Sequence, residues 1–218
     1  MAAAAATSPH TAPPYVSPLR EAQAAQTRLR VLEAAASVFG SSGYSGTSLP
    51  AIAAEAGVSL ETVKQNGPKA ALLLASFDQA FSGAEGDGPL HFRELGAQAA
   101  ALQGEEMLTF HLGFVAEANA RVARLWPRIL DAAAGDAEVG RRLEQLQHNR
   151  RFDMLSSIRE YRSKGLCHSA RPDAELADEL SFLISPESYT QLVVDAKWSM
   201  TRYRAWMLRA VRRLILED

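Results

Sequence analysis

Three observations predict an all-α protein. Ala, Leu, Arg and Glu, all good helix formers, recur through the whole sequence. Aromatic residues make up only 7% of the 218 residues, and β-branched runs and alternating apolar/polar stretches are scarce. Apolar residues return every three to four positions, the spacing of helices that bury one face.

The segments follow in order. Residues 1–20, rich in Ala, Pro, Ser and Thr, read as a disordered tail. Over residues 21–40, Leu29, Leu32, Ala36 and Phe39 share a helical stripe, as do Val31, Ala35 and Val38, and the Gly40-Ser41-Ser42-Gly43 run is expected to end it. Thr47 and Ser48 are both N-cap residue types, and Pro50 suits the first turn of a short helix from Leu49 to about Ala56. Gly57 stops that helix, and Ser59 caps another over Leu60 to about Gln65. Asn66-Gly67-Pro68 breaks the chain again, with Pro68 placed at the first position of a helix reaching about Ser82. Beyond a Gly-rich joint at residues 83–89, helical segments are expected near 90–102, 105–119, 121–134, 137–164, 173–195 and 199–216.

Composition excludes several classes. With 47% apolar and 22% charged residues, the chain can bury a core in one or two domains. The lone Cys167 can form neither an intrachain disulfide nor a metal cluster, which suits a reducing, cytoplasmic setting; it reads as a bystander thiol rather than a redox sensor. The five His residues show no metal-ligand spacing, so no metal and no cofactor are assigned. No apolar run approaches the roughly 18 residues of a membrane span, and the N-terminus lacks the basic and Leu-rich regions of a signal peptide. No nucleophile–base pair, paired carboxylates or phosphate loop stands in a recognisable arrangement, so an enzyme is not expected.

Residues 48–68 fit a demanding template. A helix-turn-helix needs two helices crossing at roughly 90–120°, a glycine at the turn and a small residue at the crossing. Gly57 and Ala53 fill those places, while Ile52, Ala56, Val58 and Val63 supply apolar packing. The outward positions of the second helix then face base edges in a major groove. The same pattern also occurs in helical proteins that never touch DNA. Net charge is −2, and over residues 1–82 Arg20, Arg28, Arg30, Lys64 and Lys69 are balanced by Glu21, Glu33, Glu55, Glu61 and Asp78. Any DNA contact must therefore rest on a few placed cations and helix N-termini rather than on a strong general field.

The run Thr27 to Ala35, then Phe39, Gly43 to Ala53, Gly57-Val58-Ser59, Thr62-Val63, Lys69 and Leu72-Leu73 resembles the N-terminal domain of the tetracycline-repressor (TetR) family. The stretch Trp198 to Trp206 resembles the C-terminal helix of many members. The resemblance is strong over residues 27–80 and weaker beyond. It implies a disordered tail (1–20), a helix-turn-helix DNA-binding domain (21–67), a connecting helix (68–83) and a helical ligand-binding and dimerisation domain (84–218). It further implies a homodimeric transcriptional repressor that binds a near-palindromic double-stranded DNA operator and is released by a small molecule. The sequence departs from the family at Lys64, where an aromatic is common, and in Gln65-Asn66-Gly67-Pro68, which reads as a loop one residue shorter.

Candidate DNA contacts are Thr47 and Ser48 at a helix N-terminus, Ser59, Leu60, Glu61, Thr62 and Gln65 on the reading helix, and Lys64 and Lys69 on phosphates. Thr47, Ser48 and Glu61 also read as ordinary helix-start residues, and Lys69 as a solvated lysine. Phe92, Met107, Phe110, His111, Phe114 and Trp126 are candidates for a ligand pocket, or for an ordinary helical core. From the resemblance, Leu180, Leu183, Ile184, Tyr189, Leu192 and Val193 are candidates for a dimer interface, or for packing within one chain. The rival to the regulator is a helical small-molecule-binding or interaction protein with lost or weak DNA binding.

Overall fold

A computed structural model of the chain describes residues 17–86 and 88–217. All regular structure in them is helical: α1 (Pro18–Gly46), α2 (Leu49–Ala56), α3 (Leu60–Gln65), α4 (Lys69–Ser82), α5 (Glu94–Ala101), α6 (Gly104–Val122), α7 (Trp126–Ala133), α8 (Ala137–Ser163), α9 (Asp173–Leu183), α10 (Pro186–Tyr189) and α11 (Met200–Val211). A 3₁₀ turn at Leu90–Phe92 precedes α5, and wide π turns at Thr190–Asp195 and Arg212–Leu216 extend α10 and α11. No described helix is long and apolar enough to cross a membrane. The expected tail falls largely on residues 1–16, outside the described residues, but Pro18 already starts α1.

The head forms as its local signals dictate. Ser48 Oγ accepts from Ala51 N and starts α2; Gly57, in the left-handed region at φ 62°, ends it. Ser59 Oγ accepts from Thr62 N (3.0 Å) and starts α3. Four boundaries differ from the sequence reading. Helix α1 runs past Gly40 and breaks at Gly43, whose φ of 72° only glycine adopts readily. Thr47 closes α1 rather than capping α2. Pro68 is the residue before α4 rather than its first. The expected helix over 173–195 is broken at Ile184–Ser185, where Ser185 Oγ accepts from Ser188 N and Pro186 opens the next turn; a proline has no N–H with which to continue the preceding helix.

Two cores hold the chain. The first joins Val31, Leu32, Ala35 and Phe39 of α1, Ile52 of α2, Val63 of α3 and Leu72, Leu73 and Phe77 of α4 to Val122, Trp126, Ile129 and Val139. The second joins Met107, Leu108 and Leu112 to Met154, Ile158, Tyr161, Leu176, Leu180, Tyr203, Met207 and Ile215. The division between cores therefore cuts across α6 and α8, not at the joint near residue 84. Polar links reinforce the first core. Arg121 donates to Ala80 O (2.6 Å) and Phe81 O (2.7 Å) at the end of α4, Arg142 pairs with Asp78 (2.7 Å), and the Tyr44 hydroxyl bonds Asp136 (2.7 Å).

Gly57→Ala keeps the sequence near-identical but places a Cβ on a left-handed residue. It is expected to lower unfolding stability by about 1–2 kcal/mol, read as a lower urea midpoint at unchanged slope.

Candidate nucleic-acid interface and internal cavity

Helix α3 is held by its inward side. Val63 is fully buried, whereas Ser59, Leu60, Glu61, Lys64 and Gln65 are exposed and Thr62 is half-buried. Residues 61, 64 and 65 fall three to four apart, so they share one outward face. Ser59 Oγ and Thr62 Oγ1 lie 2.8 Å apart, and both serve the start of the helix. Ser48 is exposed while its hydroxyl caps α2. Thr47 does not join this surface. It is 3% exposed and its hydroxyl donates to Gly43 O (2.7 Å), because closing the break after Gly43 occupies it. Lys69 opens α4 with its ammonium 4.5 Å from the centre of the Tyr44 ring, a cation–π contact that restrains it at the edge of the head.

Two arginines that sequence reading counted only as charge prove to be braces. Arg30 donates to Ala56 O (2.6 Å) and Gly57 O (3.2 Å), satisfying carbonyls at the end of α2 and fixing the turn. Arg28 bonds Asn66 O at the end of α3 and both carboxylate oxygens of Glu85 (2.9 and 2.7 Å). The signal was weak in the sequence: two arginines on one helix look alike whether they face a phosphate or a helix C-terminus.

Behind the head lies a cavity of about 650 Å³. Phe77, Asp78, Phe81 and Ser82 of α4 form part of its wall, so the helix that leaves the head also faces the cavity. Met107, Phe110, His111, Phe114 and Trp126 line it as well. Phe81 meets Phe114 edge-on at 5.9 Å, and Phe77 meets Trp126 at 5.6 Å. Phe92 is not part of the wall: it is 72% exposed and packs on Phe152 (5.1 Å), because the Leu90–Phe92 turn faces it outward.

The polar groups of the wall were mostly missed in the sequence. Asp153 accepts from Leu90 N (3.0 Å) and His91 N (2.9 Å), and its burial pushes its pKa up against those bonds. Trp126 Nε1 donates to Glu187 (2.8 Å). Asn119 is fully buried; its amide donates to Ile184 O (3.0 Å) and Ser185 O (3.2 Å). A signal did exist for Asn119. It sits at helical spacing with Leu112, Val115, Ala116 and Val122, a polar residue on an apolar stripe. His111 Nδ1 and the Tyr161 hydroxyl lie 2.5 Å apart, and burial pushes the His111 pKa down to about 4.

Four of the expected interface residues turn inward. Leu180, Leu183, Ile184 and Tyr189 are at most 8% exposed and belong to the second core, so they present no surface to another chain. Leu192 and Val193 are half-buried against that core. The large apolar side chain that α9 does expose is Phe182, 75% accessible.

Residues 31–63 match the family of bacterial regulatory proteins, tetR family. The match spans α1 from Val31 through α2 to Val63 of α3. It ends ahead of Lys64–Pro68, and nothing in it marks the following loop as shortened. Comparison with curated proteins returned no match. Among solved structures, the chain is similar to a provisionally designated TetR-family transcriptional regulator from Rhodococcus sp., at 17% identity and TM-score 0.66, covering 88% of this chain and 99% of that one. It is also similar to a provisionally designated transcriptional regulator from Saccharomonospora viridis in complex with choline, at 19% identity and TM-score 0.65, covering 89% and 100%. A third is a provisionally designated TetR-family regulator from Mesorhizobium loti, at 19% identity and TM-score 0.63, covering 88% and 96%. At these identities the likeness establishes a shared fold: helix-turn-helix head, connecting helix and C-terminal helical bundle.

His111 carries a sign-definite pH effect. The unfolded chain has an ordinary histidine pKa of about 6.5, whereas the folded one sits near 4. The contribution is complete above about pH 6.5 and falls as pH drops toward 4, because only the unfolded chain takes up the proton. His111→Gln is expected to remove roughly 1–2 kcal/mol of the stability loss between about pH 7 and pH 5, measured by urea unfolding at the two pH values.

Proposed function

We propose that the protein is a ligand-responsive, DNA-binding transcriptional regulator. It acts as a homodimeric repressor on a near-palindromic operator and is released when a small molecule fills the cavity. The observation that carries this reading is that α4 opens at the edge of the reading head with Lys69 and, about two to three turns on, forms cavity wall with Phe77, Asp78 and Phe81. A molecule that moves this wall also moves the head. The N-terminal match to the tetR family supports the same reading.

In the proposed complex, the exposed Glu61, Lys64 and Gln65 of α3 face the major groove, with Ser48, Ser59, Leu60 and Thr62 around them. Lys64 and Lys69 meet phosphates. In a dimer the two α3 helices lie about one DNA turn apart, roughly 34–36 Å. The dimer face uses the outward side of α9 around Phe182, since the inward side is spent on the core. Lys64 takes the place that an aromatic fills in the family pattern, so its contact is a mobile point charge.

One observation favours a second reading. Arg28 and Arg30, two of the five cations in the head, are committed to internal carbonyls and Glu85. A helical small-molecule-binding protein with weak DNA affinity has such a head. The two readings separate on a selection of bound fragments from the source genome, which enriches one near-palindromic sequence only if the first is right.

On the selected operator, Lys69→Ala is expected to reduce the slope of log affinity against log salt by about 0.9 per site. An unchanged slope removes Lys69 from the phosphate contacts. Phe182→Glu is expected to shift the protein from dimer to monomer in sedimentation velocity, with its helical circular dichroism retained.

A further inference from the structure

The strongest unexplained feature of the molecule is a cation on the cavity wall. Arg150, on α8, is only partly accessible and lines the cavity, and its guanidinium has one partner, the carbonyl of Ser181. Among the described residues no carboxylate lies within ion-pair distance of it. A guanidinium carries five donors, and a buried cation without a counter-ion is costly to hold.

The carboxylates around the cavity are otherwise engaged or wet. Asp78 is paired with Arg142, Asp153 accepts two backbone N–H groups, and Glu187 accepts from Trp126 Nε1. Glu187 acts on Arg150 through space without touching it. Glu144 and Glu160 keep solvent contact. A second arginine of the wall, Arg93, makes four hydrogen bonds, to Ser82 Oγ and the carbonyls of Ala84, Gly86 and Gly88. Arg151 also lines the cavity but is exposed to solvent, so among the described residues Arg150 is the part-buried wall cation with donors to spare. Burial holds its pKa below the usual arginine value, with Glu187 and Tyr203 opposing that shift from a distance.

A second group needs a partner. Asn119 is fully buried and lines the cavity, and among the described residues its Oδ1 accepts no hydrogen bond, the Tyr203 hydroxyl that neighbours this side chain being bonded to Ser188 Oγ. Its amide is fixed by the Ile184 and Ser185 carbonyls, so the orphan oxygen cannot exchange places with it. Such a buried acceptor calls for a donor.

We propose that the cavity takes an amphipathic organic acid, its carboxylate on Arg150 and its apolar body against Met107, Phe110, Phe114 and Trp126. A hydroxyl or amide N–H on the ligand suits Asn119 Oδ1. A single guanidinium matches one negative charge, and its planar fork matches a carboxylate. The cavity volume of about 650 Å³ falls in the range of small-ligand sites. The inference rests on the reading of this cavity as the effector site.

The test is calorimetric titration of the full-length protein with three probes of one chain length: decanoate, decanol and decyltrimethylammonium. Decanoate is expected to bind at least about tenfold more tightly than decanol, and the ammonium compound most weakly. Arg150→Gln is expected to weaken decanoate about ten- to hundredfold and leave decanol unchanged, while Arg150→Lys, which keeps the charge, retains part of the preference. Equal affinities, preference for the ammonium compound, no binding of decanoate, or an Arg150→Gln protein that binds decanoate like the parent each overturn the proposal. If the Gln variant does not fold, the headgroup comparison on the parent and the Lys variant decide. Decanoate that binds with the expected preference but leaves the operator complex intact sinks the effector reading and keeps the acid site.

Discussion

Burial of α4 on several sides is the constraint from which the rest of the architecture follows. Toward α1 it presents Leu72 and Leu73 to the core of the head. Toward the C-terminal helices it presents Phe77, which stacks between Phe81 and Trp126, and Asp78, which pairs with Arg142 of α8. Arg121 of α6 then holds its last carbonyls. A fully buried Leu or Phe contributes about 1.5–3 kcal/mol, so several such side chains outweigh any one surface contact. The buried ion pair adds position more than stability, since desolvation offsets much of its attraction. A helix held this way moves with its neighbours as a body, because close-packed interiors transmit displacement rather than absorb it.

The same packing explains the poverty of the head in free charge. Its reading surface is short, six residues of α3, and a helix of under two turns is unstable unless its neighbours hold it. Arg28 holds its C-terminal end at Asn66, and Arg30 holds the end of α2 at the Ala56–Gly57 turn that leads into it. Cations spent on rigidity are lost to electrostatic attraction. Binding by such a head depends on a preorganised shape and on the few cations left outside, Lys64 and Lys69 among them.

The cavity shows the complementary economy. Aromatic walls meet polar groups, several of which, Asp78, Arg93, Asp153 and Glu187 among them, are already bonded within the protein. Arg150, a cation with a single carbonyl partner, and Asn119 Oδ1, a buried acceptor without a donor, stand apart from these. A buried acceptor left without a donor is rare, and beside a cation that lacks a counter-ion it marks the chemically specific part of the space.

How much of this was legible beforehand depended on range. The ends of α2, α3 and α4 were readable because Ser48, Ser59, Gly57 and the Asn66–Pro68 turn act on their immediate neighbours. Aromatic residues of α6 and Trp126 could be placed near a pocket because helical spacing puts them on a buried face. Phe92 could not, since a three-residue turn has no face to read. The inward packing of Leu180, Leu183, Ile184 and Tyr189 was equally hidden: an apolar stripe fits a neighbouring helix of the same chain or of another. The sequence by itself determined an all-helical chain and the turn that aims α3, because those depend on local backbone preferences and period. Only the tertiary structure decided that Arg28 and Arg30 brace the head, that α4 joins head to cavity, and that Arg150 faces that cavity without a counter-ion, because each is a meeting of residues far apart in the chain.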